Sequence, residues 1–114
     1  MIQLHPYIQS YLPFVQQLCN EYNVDELYLI GSLATNKFNE KESDVDFMVT
    51  MPVIEGTQFK GKTFLNLYIA LNELFKRNVD LLDSNQPINN PFLQKSIENT
   101  KIKIYDRKGT KVPN

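Results

Sequence analysis

Three aspartates stand inside or beside apolar segments of this 114-residue sequence. Asp44 and Asp46 lie two residues apart at the start of the apolar run 45–50. Side chains alternate along a strand, so we expect these two carboxylates on one face, about 6–7 Å apart. At that distance they repel by roughly 2–3 kcal/mol for an effective dielectric near 20. A cation between them would relieve the repulsion, and Mg²⁺ usually takes one or two protein carboxylates plus substrate phosphates.

A glycine–serine turn and a further acid accompany this pair. Gly31-Ser32 follows the apolar segment 27–30, and Asp80 is embedded in the apolar segment 79–82. An acid inside an apolar strand is costly unless it is paired or bound to a metal. Each feature alone also has an ordinary explanation as a turn dipeptide, a solvated edge or a strand-end hydrogen bond. Their occurrence together, at the ends of apolar runs, predicts a catalytic site.

Composition limits the chemistry that is available. The net charge of −1 and pI of about 5.8 predict no general attraction to nucleic acid. His5 is the only histidine, which argues against a Ser–His pair or a site with several histidine ligands. The single Cys19 excludes an internal disulfide, fits a cytoplasmic location and falls on an apolar helical position. No apolar run approaches the length of a membrane span, and no signal-peptide pattern opens the sequence.

The spacing of apolar residues predicts seven elements in the order αββαβαβ. The predicted helices span 11–22, 62–77 and 91–99, and the predicted strands span 27–30, 45–50, 79–82 and 102–105. Ser10 is the predicted cap of the first helix, after a short turn at 4–9, and Pro13 falls in its first turn. Asn90 is the predicted cap of the third helix. The first two strands are apolar on both faces, which predicts central positions in the sheet.

These elements predict an α+β (α/β-like) fold, a small mixed sheet packed with helices. We expect one domain over 1–114, with a core over about 11–106, a loop at 52–61 and a mobile polar tail at 107–114. The first helix has an apolar stripe of Leu12, Val15, Leu18, Cys19 and Tyr22, and the third has apolar positions at Phe92, Leu93 and Ile97. The predicted inward-facing side chains of the second helix are Phe64, Leu67, Tyr68, Leu71, Leu74 and Phe75. Of these, Phe64, Tyr68 and Phe75 are interpreted as core packing.

The sequence resembles the minimal nucleotidyltransferases (MNT domains) of the polymerase-beta-like superfamily. The resemblance rests on Gly31-Ser32, on Ser43-Asp44-Val45-Asp46 and on Val79-Asp80-Leu81, and it covers about residues 12–106. It implies the nucleotidyltransferase fold and transfer of a nucleotide from ATP or another nucleoside triphosphate with two Mg²⁺ ions. Asp44, Asp46 and Asp80 would be the catalytic, metal-binding acids, with Asp80 a ligand or a base. Gly31 and Ser32 would bind phosphates, with Lys37 supplying a nearby positive charge.

The resemblance also implies a partner. Domains of this kind are often encoded beside small helical HEPN proteins as the antitoxin of a toxin–antitoxin pair, and they can transfer AMP to a tyrosine of that partner. The family commonly has Ala-Arg-Gly after the Gly-Ser turn, whereas this chain has Ala34-Thr35-Asn36. That departure favours an alternative, a binding module that neutralises its partner by contact. Transfer to a small molecule or an RNA end, and a purely structural α/β domain, are further alternatives.

Overall fold

The computed structural model describes residues 4–52 and 59–109, and among these the side chains of residues 59–61 are excepted. Three helices and four strands follow the predicted order, with one short 3₁₀ turn added at Gly31–Leu33. The helices are α1 (Pro6–Glu21), α2 (Phe59–Phe75) and α3 (Pro91–Thr100). The strands are β1 (Glu26–Ile30), β2 (Val45–Thr50), β3 (Val79–Asp83) and β4 (Ile102–Asp106).

The strands form one mixed sheet in the order β3-β2-β1-β4. β1 pairs antiparallel with β2 and β4, whereas β2 and β3 are parallel and are joined by the long crossover through α2 that a parallel pair needs. The two central strands are β1 and β2, which confirms the expectation from their apolar faces.

The main core lies on the sheet face that α1 and α2 cover. It contains Leu27 and Leu29 of β1, Phe47 and Val49 of β2, and the buried residues of the two helices. Leu12, Val15 and Cys19 of α1 and Leu67, Leu71 and Phe75 of α2 are buried, and Leu18, Tyr22, Phe64 and Leu74 pack against them half-buried. A smaller cluster of Ile30, Met48 and Ile97 lies on the opposite face, beneath α3.

The first helix begins earlier than predicted. It starts at Pro6, and the cap is the His5 ring, whose Nδ1 accepts from the Tyr7 N–H at 3.0 Å. Ser10 therefore lies within the helix, and Pro13 lies in its interior and not in its first turn. Leu4 and Ile8 extend the buried stripe toward the N-terminus, so the core begins before residue 11. Burial of that stripe stabilises the helix despite the proline.

The other boundaries differ less. α2 includes residues 59–61, which were predicted as loop, and residues 53–58 of that loop lie outside the described residues. α3 ends one residue later than predicted, and Asn90 caps it as expected, its side chain accepting from the Phe92 and Leu93 N–H groups. Of the three apolar residues of α3, only Ile97 is buried, because α3 covers no more than a small cluster. Phe92 is 85% exposed and Leu93 47% exposed, so these two apolar positions lie outside the core.

The predicted polar tail starts with an anchored residue. The Arg107 guanidinium pairs with the Asp25 carboxylate and donates to Asn23 Oδ1 at 2.7 Å, and its backbone N–H donates to the Asp25 carbonyl. Residues 110–114 of that tail lie outside the described residues. In the ranges that are described, no helix is long and apolar enough to cross a membrane.

Candidate active site

The parallel pairing of β2 with β3 brings two of the predicted acids together. Asp46 and Asp80 are direct neighbours in the register, and their side chains are hydrogen-bonded to each other. Both are on the sheet face that carries Met48 and Leu82, because residues two apart in a strand share a face. The acid pair therefore lies on the face covered by α3, opposite the main core.

This environment changes the acidity of Asp46. Burial raises the pKa of the Asp46 carboxyl to about 7, and the hydrogen bond to Asp80 and the charges of Asp80 and Asp44 act in the same direction. Each of these influences disfavours the ionised carboxylate. A cation at the pair would reverse that preference, because it favours the charged form.

Gly31 forms the wall of the site beside Asp46. Ile30, the residue before it, is paired with Asp46 across β1 and β2, so the chain leaves β1 directly next to the carboxylate. Gly31 has a φ of +68°, and a Cβ on it would overlap the Asp46 carboxyl group. Glycine is therefore favoured for two reasons, the left-handed backbone and the close approach of the acid.

A cavity of about 450 Å³ opens at the acid pair. Its walls come from the ends of β1 and β2, from β3, from α2 and from α3. The lining residues are Ile30, Gly31, Asp46, Tyr68, Asp80, Leu81, Leu82, Leu93, Ser96, Ile97 and Thr100. This volume is within the range of small-molecule sites, and a mostly apolar wall with a few converging polar groups is their usual character.

Several of these lining residues were not predicted. Tyr68 was assigned to the core from its helical spacing, but it lines the cavity instead. Ser96 and Thr100 of α3 face the same cavity, and Leu93 lies one turn before them. Their spacing of three and four residues is a helical face, but the sequence does not show that this face lies across from the acids.

Asp44 lies outside the strand pairing that joins the other two acids. It is exposed, one residue before β2, and its charge contributes to the raised pKa of Asp46. Within residues 4–52 and 59–109, no group of three or more His, Cys, Asp or Glu side chains is arranged to hold a metal ion. The Asp46–Asp80 pair nevertheless fits Mg²⁺, which needs only one or two protein carboxylates when substrate phosphates supply further oxygens.

The turn after Gly31 carries the other predicted ligands. The Ser32 carbonyl accepts from the backbone N–H groups of Thr35 at 3.3 Å and Lys37 at 3.1 Å, which closes the turn. Among the described residues that line the cavity, neither Ser32 nor Lys37 appears, and the Lys37 side chain is exposed. Their contact with phosphate stays a prediction.

Comparison with known proteins identifies the class. The model of the family "Polymerase beta, Nucleotidyltransferase" matches residues 14–110, so the chain belongs to this family. The three helices and the four-stranded mixed sheet are the nucleotidyltransferase fold of small α+β proteins. Among curated proteins, no significant match was found.

Solved structures agree with this fold. A protein proposed to be a minimal nucleotidyltransferase is 22% identical, with a TM-score of 0.65 over 84% of this chain and 91% of that one. A toxin–antitoxin structure with AMP-PNP contains a chain 16% identical, with a TM-score of 0.61 over 85% and 74%. A complex of a tri-AMPylated HEPN toxin with an MNT antitoxin, from Shewanella oneidensis, contains a chain that is 16% identical. Its TM-score is 0.59, over 88% of this chain and 73% of that one.

The structure explains one of the two departures from the family's Ala-Arg-Gly pattern, the asparagine at position 36. Asn36 has a φ of +61°, a left-handed conformation that asparagine tolerates better than most residues, so it fills a position suited to glycine. The Thr35 hydroxyl donates to the Gly31 carbonyl at 3.1 Å. Threonine therefore stabilises the turn but lacks the forked, charged donor that an arginine would present to a phosphate.

Proposed function

We propose that this protein is a Mg²⁺-dependent nucleotidyltransferase that transfers a nucleoside monophosphate from a triphosphate to a hydroxyl on a partner protein. The nucleotide that we propose is AMP. The partner would be a small helical HEPN-type toxin, and this chain its antitoxin. Membership of the nucleotidyltransferase family supports the class of reaction. The observation that carries the proposal is the Asp46–Asp80 pair, which lines the cavity beside Gly31.

In the proposed reaction the acceptor hydroxyl oxygen forms a bond to the α-phosphorus. The bond from that phosphorus to the β-phosphate oxygen breaks, and pyrophosphate leaves. The hydroxyl proton passes to a carboxylate oxygen, for which Asp80 is the exposed candidate. Mg²⁺, when bound, supplies positive charge where the phosphate oxygens become more negative. Asp46 and Asp80, joined by Asp44, would hold the two ions, and Gly31-Ser32 and Lys37 would contact the outer phosphates.

The direct test is transfer in a defined mixture. The protein, its partner, Mg²⁺ and each labelled triphosphate are combined, and label on the partner is measured. Asp46→Asn and Asp80→Asn should abolish transfer while the chain stays folded, because each removes a charged oxygen donor. Asp83→Asn is the matched control at the other end of β3, since its amide oxygen can still accept from the Asn85 N–H. Unchanged transfer in both site variants would contradict the proposal.

A second function has structural support, neutralisation of the partner by contact without chemistry. Asp44 is not gathered with the other two acids, and Thr35 takes the place of a phosphate-binding arginine. If the site is only impaired, Thr35→Arg should raise transfer measurably. The absence of transfer with every triphosphate, in the parent and in this variant, would favour the contact function.

A further inference from the structure

Arg77 connects the end of α2 to the loop that precedes β2. Its Nη1 donates to the Ser43 carbonyl at 3.2 Å and its Nη2 to the Glu40 carbonyl at 2.6 Å. Ser43 is the residue directly before Asp44. The guanidinium therefore fixes the backbone of the loop at the point where it delivers Asp44 to the sheet.

Aromatic rings hold the guanidinium itself in place. Its carbon lies 4.8 Å from the centre of the Tyr7 ring and 5.5 Å from that of Phe38. The two rings stack on each other with centroids 4.9 Å apart. Cation–π contacts of this kind favour arginine over lysine, because the guanidinium is planar and weakly hydrated. Arg77 thus packs against aromatic rings and also donates to the loop.

The loop is also closed on itself around Ser43. The Ser43 N–H donates to the Asn39 carbonyl and the Asn39 N–H donates to Ser43 Oγ, both at 2.8 Å. These bonds hold residues 39–43 as one unit. The bonds from Arg77 fix the position of that unit relative to α2 and β3.

The other acid is supported from the same helix. Asn72 Oδ1 accepts from the Val79 N–H at 3.1 Å, and Val79 directly precedes Asp80. The Asn72 amide also donates to the Tyr68 carbonyl at 2.8 Å, which fixes its orientation. Asn72, near the end of α2, therefore holds the backbone one residue before Asp80. Arg77, two residues after α2, holds the backbone one residue before Asp44.

We infer that Arg77 is a positioning residue, which holds the loop 39–43 so that Asp44 can join Asp46 and Asp80 around a metal–nucleotide complex. The inference rests on the proposed function. Asp44 is exposed and precedes the first residue of β2, so the sheet alone does not fix it. Arg77 supplies that restraint through bonds from both terminal nitrogens to carbonyls of the loop.

Binding of Mn²⁺ with a non-hydrolysable ATP analogue tests this without any transfer reaction. Arg77→Gln should weaken that binding about tenfold to a hundredfold, the usual effect of removing a partner that orients a metal ligand. Arg77→Lys should fall between this variant and the parent. Hydrogen exchange at the amides of Glu42 and Ser43 should accelerate in both variants. Thermal unfolding measured in parallel confirms that the variants are folded at the assay temperature.

Arg107→Gln is the matched control, since Arg107 also secures a loop, through Asn23 and Asp25 at the opposite end of the sheet. It should leave metal–nucleotide binding within about twofold of the parent, as expected for a distant independent site. A double variant gives the sharpest result. If Arg77 acts through Asp44, Asp44→Asn with Arg77→Gln should bind no more weakly than Asp44→Asn alone.

The two possible failures are distinguishable. If the parent binds no Mn²⁺–nucleotide, the proposed function fails and this inference falls with it. If the parent binds but the folded Arg77 variants bind equally well, only this inference is overturned. Additive losses in the double variant, or an Asp44→Asn protein that binds like the parent, would also overturn it.

Discussion

The Asp46 carboxyl keeps its proton in the folded chain at pH values where an ordinary aspartate is ionised. Its pKa is raised to about 7, whereas an unfolded aspartate titrates near pH 4. Between about pH 4 and pH 7 the folded state therefore binds more protons than the unfolded state. The free energy of unfolding of the metal-free protein should fall as pH rises through this window. We expect a fall of about 1–2 kcal/mol from this group, since solvent screens a half-buried carboxyl.

Urea unfolding at a series of pH values measures this effect. Asp46→Asn should remove that part of the pH dependence, and its stability at neutral pH should equal or slightly exceed that of the parent, because the repulsion is gone. Asp83→Asn, on the neighbouring strand, should retain the parent's slope across the window. A parent whose stability does not fall between about pH 4 and pH 7 would contradict the assignment.

A side chain at Gly31 should destabilise the protein. Gly31→Ala combines a left-handed backbone with a methyl group that overlaps the Asp46 carboxyl, so we expect a loss of about 2–4 kcal/mol in the free energy of unfolding. Gly109→Ala is the control. Gly109 has a similar φ of +77°, but a Cβ there meets nothing within 4 Å.

Equilibrium denaturation of the two variants separates the two causes. The Gly109 variant should lose about 1 kcal/mol, the cost of the left-handed backbone alone. The difference between the two variants then measures the contact with Asp46. Equal losses in both variants would show that the close approach to the carboxyl has no energetic consequence.

The order αββαβαβ follows from the sequence because the helical segments repeat apolar residues every three or four positions, whereas the strands are short apolar runs. β1 and β2 are apolar on both faces, and this predicts their central positions. The predicted start of α1 at residue 11 was wrong, because Ser10 and His5 can both cap a helix. Pro6 at the first helical position favours His5, and the buried Leu4 and Ile8 extend the apolar stripe to it.

The candidate site was predictable only in part, since it depends on how elements are paired. The sequence identifies Asp46 and Asp80 as acids in apolar strands, but their contact arises from the parallel register of β2 and β3. Tyr68 and Ser96 line the cavity because α2 and α3 meet it from different sides. Periodicity gives the face of a helix that is apolar, not what lies opposite that face.

The residue after the end of α2 has a strained, left-handed backbone. Lys76 follows the helix with a φ of +53°, and its N–H donates to the Asn72 carbonyl at 2.9 Å. A glycine at this left-handed position after a helix avoids the Cβ strain. Lys76→Gly should therefore raise the free energy of unfolding by about 0.5–1 kcal/mol, although the unfolded chain gains entropy.

Chemical denaturation of Lys76→Gly and Asn23→Gly tests the reasoning. Asn23 follows α1 with a φ of +59°, but its side chain also accepts from Arg107. Its replacement should gain less than that of Lys76, or lose stability, because a hydrogen bond disappears with the strain. A Lys76→Gly protein that is less stable than the parent would argue against strain at this helix end.

The two faces of the sheet have different roles in the folded molecule. α1 and α2 cover one face with the main core, and this face carries stability. The other face is covered by α3 over a small cluster, and the acid pair lines a cavity there. Variants of these two acids should therefore alter function more than stability, which makes them interpretable in cells.

Protection of cells from the proposed HEPN-type toxin would decide between chemistry and contact. If the chain acts by nucleotide transfer, Asp46→Ala should abolish protection and the appearance of modified partner together, since a metal ion that holds the phosphates would lose a carboxylate ligand. We expect this result. If the chain acts by contact, the variant should still protect, because binding affinity comes from buried interface residues and not from a carboxylate in a cavity. Asp83→Asn, expressed at the same level, should protect in either case, and co-purification of each variant with the toxin shows whether the complex itself survives.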